Sequence, residues 1–310
     1  MSELTTTVEP VEPGEPGATP TPRRLGRGKL ILRRFLRNKL AIAGVCGILL
    51  LVLVAVIGPF LTGWTYTEID QTSFLKPPSP SHPFGTNQTG RDVLAMTIHG
   101  TSRSLIIGFI AAVLQTAISC AMGATAAYFG KWTDKAIIFV IDLFQIVPSF
   151  LVIAVMMKGH ATPKSSWILL AILLAVFGWV MTARVVRSLT SSLKHREYVM
   201  AARYMGLPAP LIIIRHILPN VSSLLIVDLT LNVGYAILAE TGLSFLGLGI
   251  QAPDTSLGVL ISDGAQTATT FPWVFIAPSV VLVFLVMCVN AIGDGLRDAL
   301  DPNSASGGRA

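Results

Sequence analysis

Asp142, Asp228 and Glu240 lie within or beside long apolar runs, where carboxylates are costly. An ionised side chain at mid-bilayer costs about 2.5–3.5 kcal/mol on insertion scales, so each must face protein or water. Gln145 follows Asp142 by one turn and Asn232 follows Asp228 at i+4, which gives each helix one polar stripe. Such a stripe either lines a polar passage or hydrogen-bonds one helix to another, at about 0.6 kcal/mol a pair. Both uses stay open for Asp142 and Asp228. Glu240 precedes Gly242, Gly247 and Gly249, where a helix would loosen at its outer mouth, and is read as a gate or as a contact for an external protein. Asn290 and Asp294, nearer the inner surface, are read as structural.

Other chemistry lacks its residues. Gly28-Lys29 is followed by Leu30 and Gly130-Lys131 by Trp132, so neither forms a phosphate-cradling loop with a magnesium-binding hydroxyl. His82, His99, His160, His195 and His216 have no metal-protease spacing, and no Gly-x-Ser-x-Gly elbow occurs. Cys46, Cys120 and Cys288 each sit in an apolar run without metal-ligand spacing and are read as packing residues. No catalytic residue, metal site or cofactor is therefore expected in this chain. ATP, if used, is bound by a partner.

The elements that must position these groups are membrane helices. Hydrophobic residues make up 52% of the chain and charged ones 13%, with a mean hydropathy of +0.66. A helix crosses the hydrocarbon in about 20 residues, which places spans near 40–61, 104–129, 135–157, 167–187, 221–246 and 272–293. The fold class is all-α polytopic membrane protein with six transmembrane helices. The first apolar stretch is span-length with no small-residue cleavage pattern after it, and reads as a retained anchor.

The net charge of +6 reports orientation and not nucleic acid. Of the 23 Lys and Arg, 18 fall in the N-terminal segment, 130–135, 184–218 and the C-terminal tail, against 5 in the alternate loops. Both termini are thus expected in the cytoplasm, with the eight basic residues between Arg23 and Lys39 held at an anionic lipid surface. Arg184 and Arg187 are read as interfacial anchors of the fourth span. The organisation follows: a disordered Pro/Glu/Thr-rich tail over 1–22; the basic anchor, first span and external loop over 23–103; a five-helix core over 104–293 with an internal loop at 188–219; and a cytoplasmic tail over 294–310.

Two loops carry further pattern. Pro77, Pro78, Pro80 and Pro83 keep the first half of the external loop from forming helix, and 88–100 is expected to form one short interfacial helix. Internally, EYVMAARYMGLPAPLIIIRHILPN spans 197–220. At 100° per residue Glu197 and Ala201 share a helical face with Ala202 and Gly206 adjacent, a small-residue stripe that lets another surface approach. Pro208, Pro210 and Pro219 then make an elbow into the next span.

The order of Glu197, Ala201, Ala202, Gly206, Leu218 and Pro219 resembles the EAA motif of permeases in binding-protein-dependent ABC importers, with His216 where the motif often has isoleucine. HPFGTNQTGRDVL at 82–94, ILAETGLSFLGLGIQAP at 237–253 and NAIGDGLRDALDP at 290–302 are similar to the peptide-importer branch, of DppC/OppC type. In the first of these, Asn87 stands where the family usually has Asp. Gly85, Gly90, Arg91 and Asp92 are its candidate residues, either functional or holding a tight external turn.

The resemblance implies a type I importer permease (MetI-like) fold in a bacterial cytoplasmic membrane. It implies a coupling helix at 197–206 seated on an ATPase that binds ATP and Mg, and a second homologous permease subunit. The remaining partners would be two ATPase subunits or one fused ATPase and an extracytoplasmic solute-binding protein. Di- or oligopeptides are the implied cargo, with a nickel chelate or another small solute as the alternative. A channel or ion-gradient-coupled secondary transporter using Asp142 and Asp228 is the rival, which does not account for the 197–219 pattern.

Overall fold

Asn38 opens the first long helix because its side-chain oxygen accepts hydrogen bonds from the free amides of Leu40 and Ala41. The computed structural model describes residues 27–160, 162 and 165–301. The tail expected to be disordered over 1–22 and the last part of the cytoplasmic tail lie outside the described residues. A short basic helix α1 (Arg27–Phe35) precedes α2 (Lys39–Leu61). The Asn38 amide also donates to Asp298 at 3.3 Å and Arg34 to the Asp301 carbonyl at 3.3 Å, which ties the start of α2 to the end of the last helix.

The second span, α3 (Val93–Phe129), begins at Asp92, whose carboxylate caps Ala95 at 2.7 Å. The separate interfacial helix expected within 88–100 is instead the first turns of this 37-residue helix. With the N-cap set at Asp92 and helix-compatible residues beyond it, the ladder runs through without a stop.

Neither of the next two spans is straight. The helix expected over 135–157 is α4 (Lys131–Ile146) followed by α5 (Ser149–His160), bent by 76° where Pro148 lacks an amide to continue the ladder. The helix expected over 167–187 is α6 (Ser166–Gly178) and α7 (Val180–Leu193), bent by 44° at Trp179. Here α3 supplies what the bend removes: the Gln115 amide donates to the Leu174 carbonyl at 3.0 Å and the Ser119 hydroxyl to that of Trp179 at 2.7 Å.

The internal loop is mostly helix: α8 (Glu197–Tyr204), α9 (Ala209–Ile212), a π-helical turn (Ile213–Ile217) and α10 (Leu218–Phe245). Pro219, expected to lead into the next span, stands in the first turn of α10. The wider π turn before it accommodates a residue with no amide to donate, and 209–245 runs as one helix. A short helix α11 (Leu257–Ala265), capped by Ser256, occupies part of what reads in sequence as a Gly-rich polar loop. The last helix, α12 (Pro272–Leu300), continues beyond the expected boundary at 293.

Four helices are long and apolar enough to cross a membrane, and counting each bent pair as one span gives the six expected. The protein is an all-α polytopic membrane protein. Its hub is α3, which packs against α2, α6, α7 and α10. Small residues permit the closest approaches. A Cβ at Gly123 would stand 2.9 Å from Val186 Cβ and 3.1 Å from the Arg187 amide, so α3 and α7 touch through the missing side chain. Gly44 bears on the Cys288 carbonyl in the same way, bringing α2 onto α12. Cys46, Cys120 and Cys288 are unbonded.

Gly123→Leu should force α3 from α7 and cost about 1–3 kcal/mol, read as a lower melting temperature of the purified protein in detergent. Gly159→Leu, at a glycine with open space around it, should leave that temperature unchanged.

Candidate functional site

Three places hold the residues singled out in the sequence. The first is a cavity of about 710 Å³ enclosed by α5, α6, α7 and α10. Asp228 and Asn232 line it on α10, and Thr182 and Arg184 face it from α7. The Asp228 Oδ2 accepts from the Thr182 hydroxyl at 2.7 Å and from the Asn232 amide at 2.9 Å.

Asp142 and Gln145 do not line the cavity; they hold Arg184, which does. Its Nη2 donates to Asp142 Oδ1 at 2.6 Å and to Gln145 Oε1 at 2.8 Å. Arg187 donates to both oxygens of Asp134, at 2.5 and 2.6 Å. Arg184 and Arg187, read from the sequence as interfacial anchors, thus each also carry an ion pair. Both pair with a carboxylate on α4, the Arg184 pair exposed and the Arg187 pair half-buried.

Glu240 lies apart from this cavity. It is fully buried and accepts from Ser244 at 2.6 Å, Ser256 at 2.5 Å and Ser104 at 3.4 Å, one clasp joining α10, α11 and α3. With no exposed surface it offers nothing to an external protein, which corrects that expectation. The helix does not loosen at Gly242; it ends at Phe245, and Gly247 with φ +73° makes the turn.

The second place is α8, whose two faces differ. Val199 and Ala202 are buried against Ile212 and Ile217 of the elbow. Ala202 therefore belongs to the inner packing and not to the outer stripe, because the buried face of the helix passes through it. Glu197, Ala201 and Gly206 are exposed beside Tyr204, 82% exposed, and Met205, 71% exposed. Gly206 has φ +79° and ends the helix with its amide on the Arg203 carbonyl at 3.0 Å. Leu218 is half-buried and Pro219 exposed at the elbow.

The third place is the loop over 62–92, which folds into a cap over the start of α3. Gly85 and Gly90 adopt φ +74° and +73°. A Cβ at Gly85 would meet the Lys76 carbonyl at 2.6 Å and the Trp273 ring at 2.8 Å. Asn87 Oδ1 accepts from the Thr89 amide and hydroxyl at 3.0 and 2.9 Å and from the Arg91 amide at 2.9 Å. All three partners are neutral donors, so an amide oxygen serves in place of a carboxylate. Arg91 contributes through its backbone.

Asp92 uses one oxygen as the cap of α3 and the other on His82 Nδ1 at 2.9 Å, while His82 Nε2 faces Asp70 at 3.4 Å. The Trp64 ring stacks on His82 at 4.8 Å. Hydrogen bonds from Thr72 and Ser73 hold the Asp70 carboxyl well below the usual range.

Sequence reasoning missed His82, Asp70 and a second outer cluster. In the latter, Asp254 accepts from His99 at 2.7 Å and pairs with Arg103 at 3.0 Å, Tyr66 stacks on His99, and Arg103 lies over Trp167. His82 and Asp92 lie ten residues apart within the 82–94 segment, close enough for the sequence to hint at the pair, whereas Arg103 and Asp254 are 151 residues apart.

With this geometry in hand, similarity to known proteins is informative. The family described as binding-protein-dependent transport system inner membrane component matches residues 104–305. The N-terminal TM domain of oligopeptide transport permease C matches residues 26–78. The chain is 50% identical over 280 residues to the oligopeptide transport system permease protein OppC of Mycobacterium tuberculosis (strain ATCC 25618 / H37Rv), covering 90% of this chain and 96% of that one. It is 36% identical to OppC of Bacillus subtilis (strain 168), covering 90% and 91%. It is 40% identical to the dipeptide transport system permease protein DppC of Bacillus subtilis (strain 168), covering 87% and 84%.

Asp92→Ala should remove the cap of α3 and the His82 bond together, costing about 1–2 kcal/mol, read as faster limited proteolysis within 62–92. Asn87→Asp should leave cleavage unchanged, whereas Asn87→Leu should accelerate it.

Proposed function

The chain belongs to the family of binding-protein-dependent transport system inner membrane components, and from that membership we propose that it is the peptide-translocating permease subunit of an ATP-driven importer. The cargo class rests on its likeness to oligopeptide and dipeptide permeases. A second permease subunit completes the passage, ATPase subunits bind ATP and Mg beneath it, and a solute-binding protein delivers cargo outside. The termini lie in the cytoplasm of a bacterial cell, a reading supported by the 18 to 5 distribution of Lys and Arg.

One observation carries the mechanism. The inner face of α8 is locked by Val199 and Ala202 onto Ile212 and Ile217, which begin the helix that reaches Asp228 and Asn232 at the cavity. A push on the exposed face at Glu197, Ala201, Tyr204 and Met205 is therefore delivered to the cavity wall without an intervening flexible joint. Lys194 adds a second tie, donating to the Ala127 carbonyl at the end of α3 at 2.8 Å. Closure of the ATPases moves α8 and rocks the bent spans, so that the cavity opens alternately to each side. The exposed aromatic and thioether surface of α8 suits a protein groove, where such side chains concentrate binding energy.

Ala201→Trp should leave the subunit inserted while reducing peptide uptake and co-purification of the ATPase subunits at least about tenfold, a loss of roughly 1.4 kcal/mol or more. Ala201→Ser should preserve both. Normal uptake by Ala201→Trp would remove α8 from the coupling path.

A further inference from the structure

Asp228 stands between two cavities. It lines the 710 Å³ cavity with Arg184 and Asn232, and it also lines a second, of about 410 Å³, bounded by Arg297 and Leu300 at the end of α12. Val185 is the other residue common to both walls. The two cavities therefore share a wall that bears the Asp228 carboxylate.

The charges lining the two cavities are unequal: the smaller cavity has Arg297 and Asp301 in its wall beside Asp228. Arg184 and Asp228 are the charged residues lining the larger cavity, and Arg184 already has Asp142 at 2.6 Å. Asp228 forms no ion pair among the described residues. Its two hydrogen bonds come from neutral donors, Thr182 and Asn232, and both fall on Oδ2, leaving Oδ1 without a protein donor. A half-buried carboxylate so placed has no cation at ion-pair distance among the described residues, Arg297 lining the same smaller cavity without pairing to it, and neutral donors compensate it only in part. A passing ammonium with three N–H donors would supply both the charge and the missing hydrogen bond to Oδ1.

We propose that Asp228 is a specificity-determining residue for the translocated solute, receiving the free α-ammonium group of a peptide as it crosses from the larger cavity to the smaller. This rests on the peptide reading above. Thr182 and Asn232 are positioning residues that hold Oδ2 and leave Oδ1 to the cargo. A blocked amino terminus forfeits the contact, and Arg184, already paired with Asp142, does not substitute for it.

The test is uptake by the complete importer in proteoliposomes, comparing a tripeptide with its N-acetylated form. Each is supplied at a concentration shown on the isolated binding protein to load it fully. Asp228→Asn is nearly isosteric and keeps an oxygen for Thr182 and Asn232. It should slow the free tripeptide roughly tenfold and leave the acetylated form at its wild-type rate, so that the preference for a free amino terminus disappears. Asp228→Glu, which keeps the charge, should retain the preference. The unchanged rate of the acetylated peptide is the internal control for folding, and Asp228→Ser is the second variant should the first not insert. Equal slowing of both peptides in every inserted neutral variant would overturn the assignment and make Asp228 a helix tie. A wild-type importer that accumulates neither peptide would instead overturn the peptide reading, and this proposal with it.

Discussion

Polar groups that have left water must be satisfied inside the protein, and that constraint organises this molecule. In hydrocarbon an unpaired amide or carbonyl costs several kcal/mol, so a helix bend is stabilised where a neighbour supplies the lost partner. The neighbour at the α6–α7 bend is α3. Gln115 and Ser119 reach the Leu174 and Trp179 carbonyls, while Ser104 joins the Glu240 clasp from the same helix. Because α3 also packs against α2 and α10, one continuous helix holds the bent ones in place.

The bends are what make a cavity possible. Six straight, parallel spans would pack their apolar faces together; α5 and α7 depart from their axes by 76° and 44°, and the space enclosed with α10 takes Asp228, Asn232 and Arg184. Charge within that layer is arranged pairwise, Arg184 with Asp142 and Arg187 with Asp134. The pairs lower the cost of carrying charge among the helices, and Asp228, held by the neutral donors Thr182 and Asn232, has no such pair among the described residues. Rigid packing of α8 onto the elbow then connects an exposed surface to the wall that bears this residue.

The outer cap obeys the same constraint with different means. There the chain is irregular, and side chains replace secondary structure as the source of hydrogen bonds: Asn87 closes one turn, Asp92 caps α3, and His82 bridges Asp92 and Asp70. Glycines at 85 and 90 are required because their backbone conformation is left-handed and another chain segment lies where a side chain would start.

The number of spans, the position of the elbow and its outward Glu197, Ala201 and Gly206 were legible in the sequence, as was the family. Hydropathy over about 20 residues and a fixed spacing along one helix are local quantities, and the local sequence determines them. What only tertiary structure decided was which polar residue meets which. Asp142 pairs with Arg184 from 42 residues away, and Ser104 meets Glu240 across 136. These distances are set by helix rotation and crossing, to which hydropathy is blind. Asp228 and Glu240 show the difference: each is a carboxylate in an apolar helix with no cationic partner nearby in sequence. Packing places one at the wall of a cavity with an oxygen to spare, and seals the other among three serines.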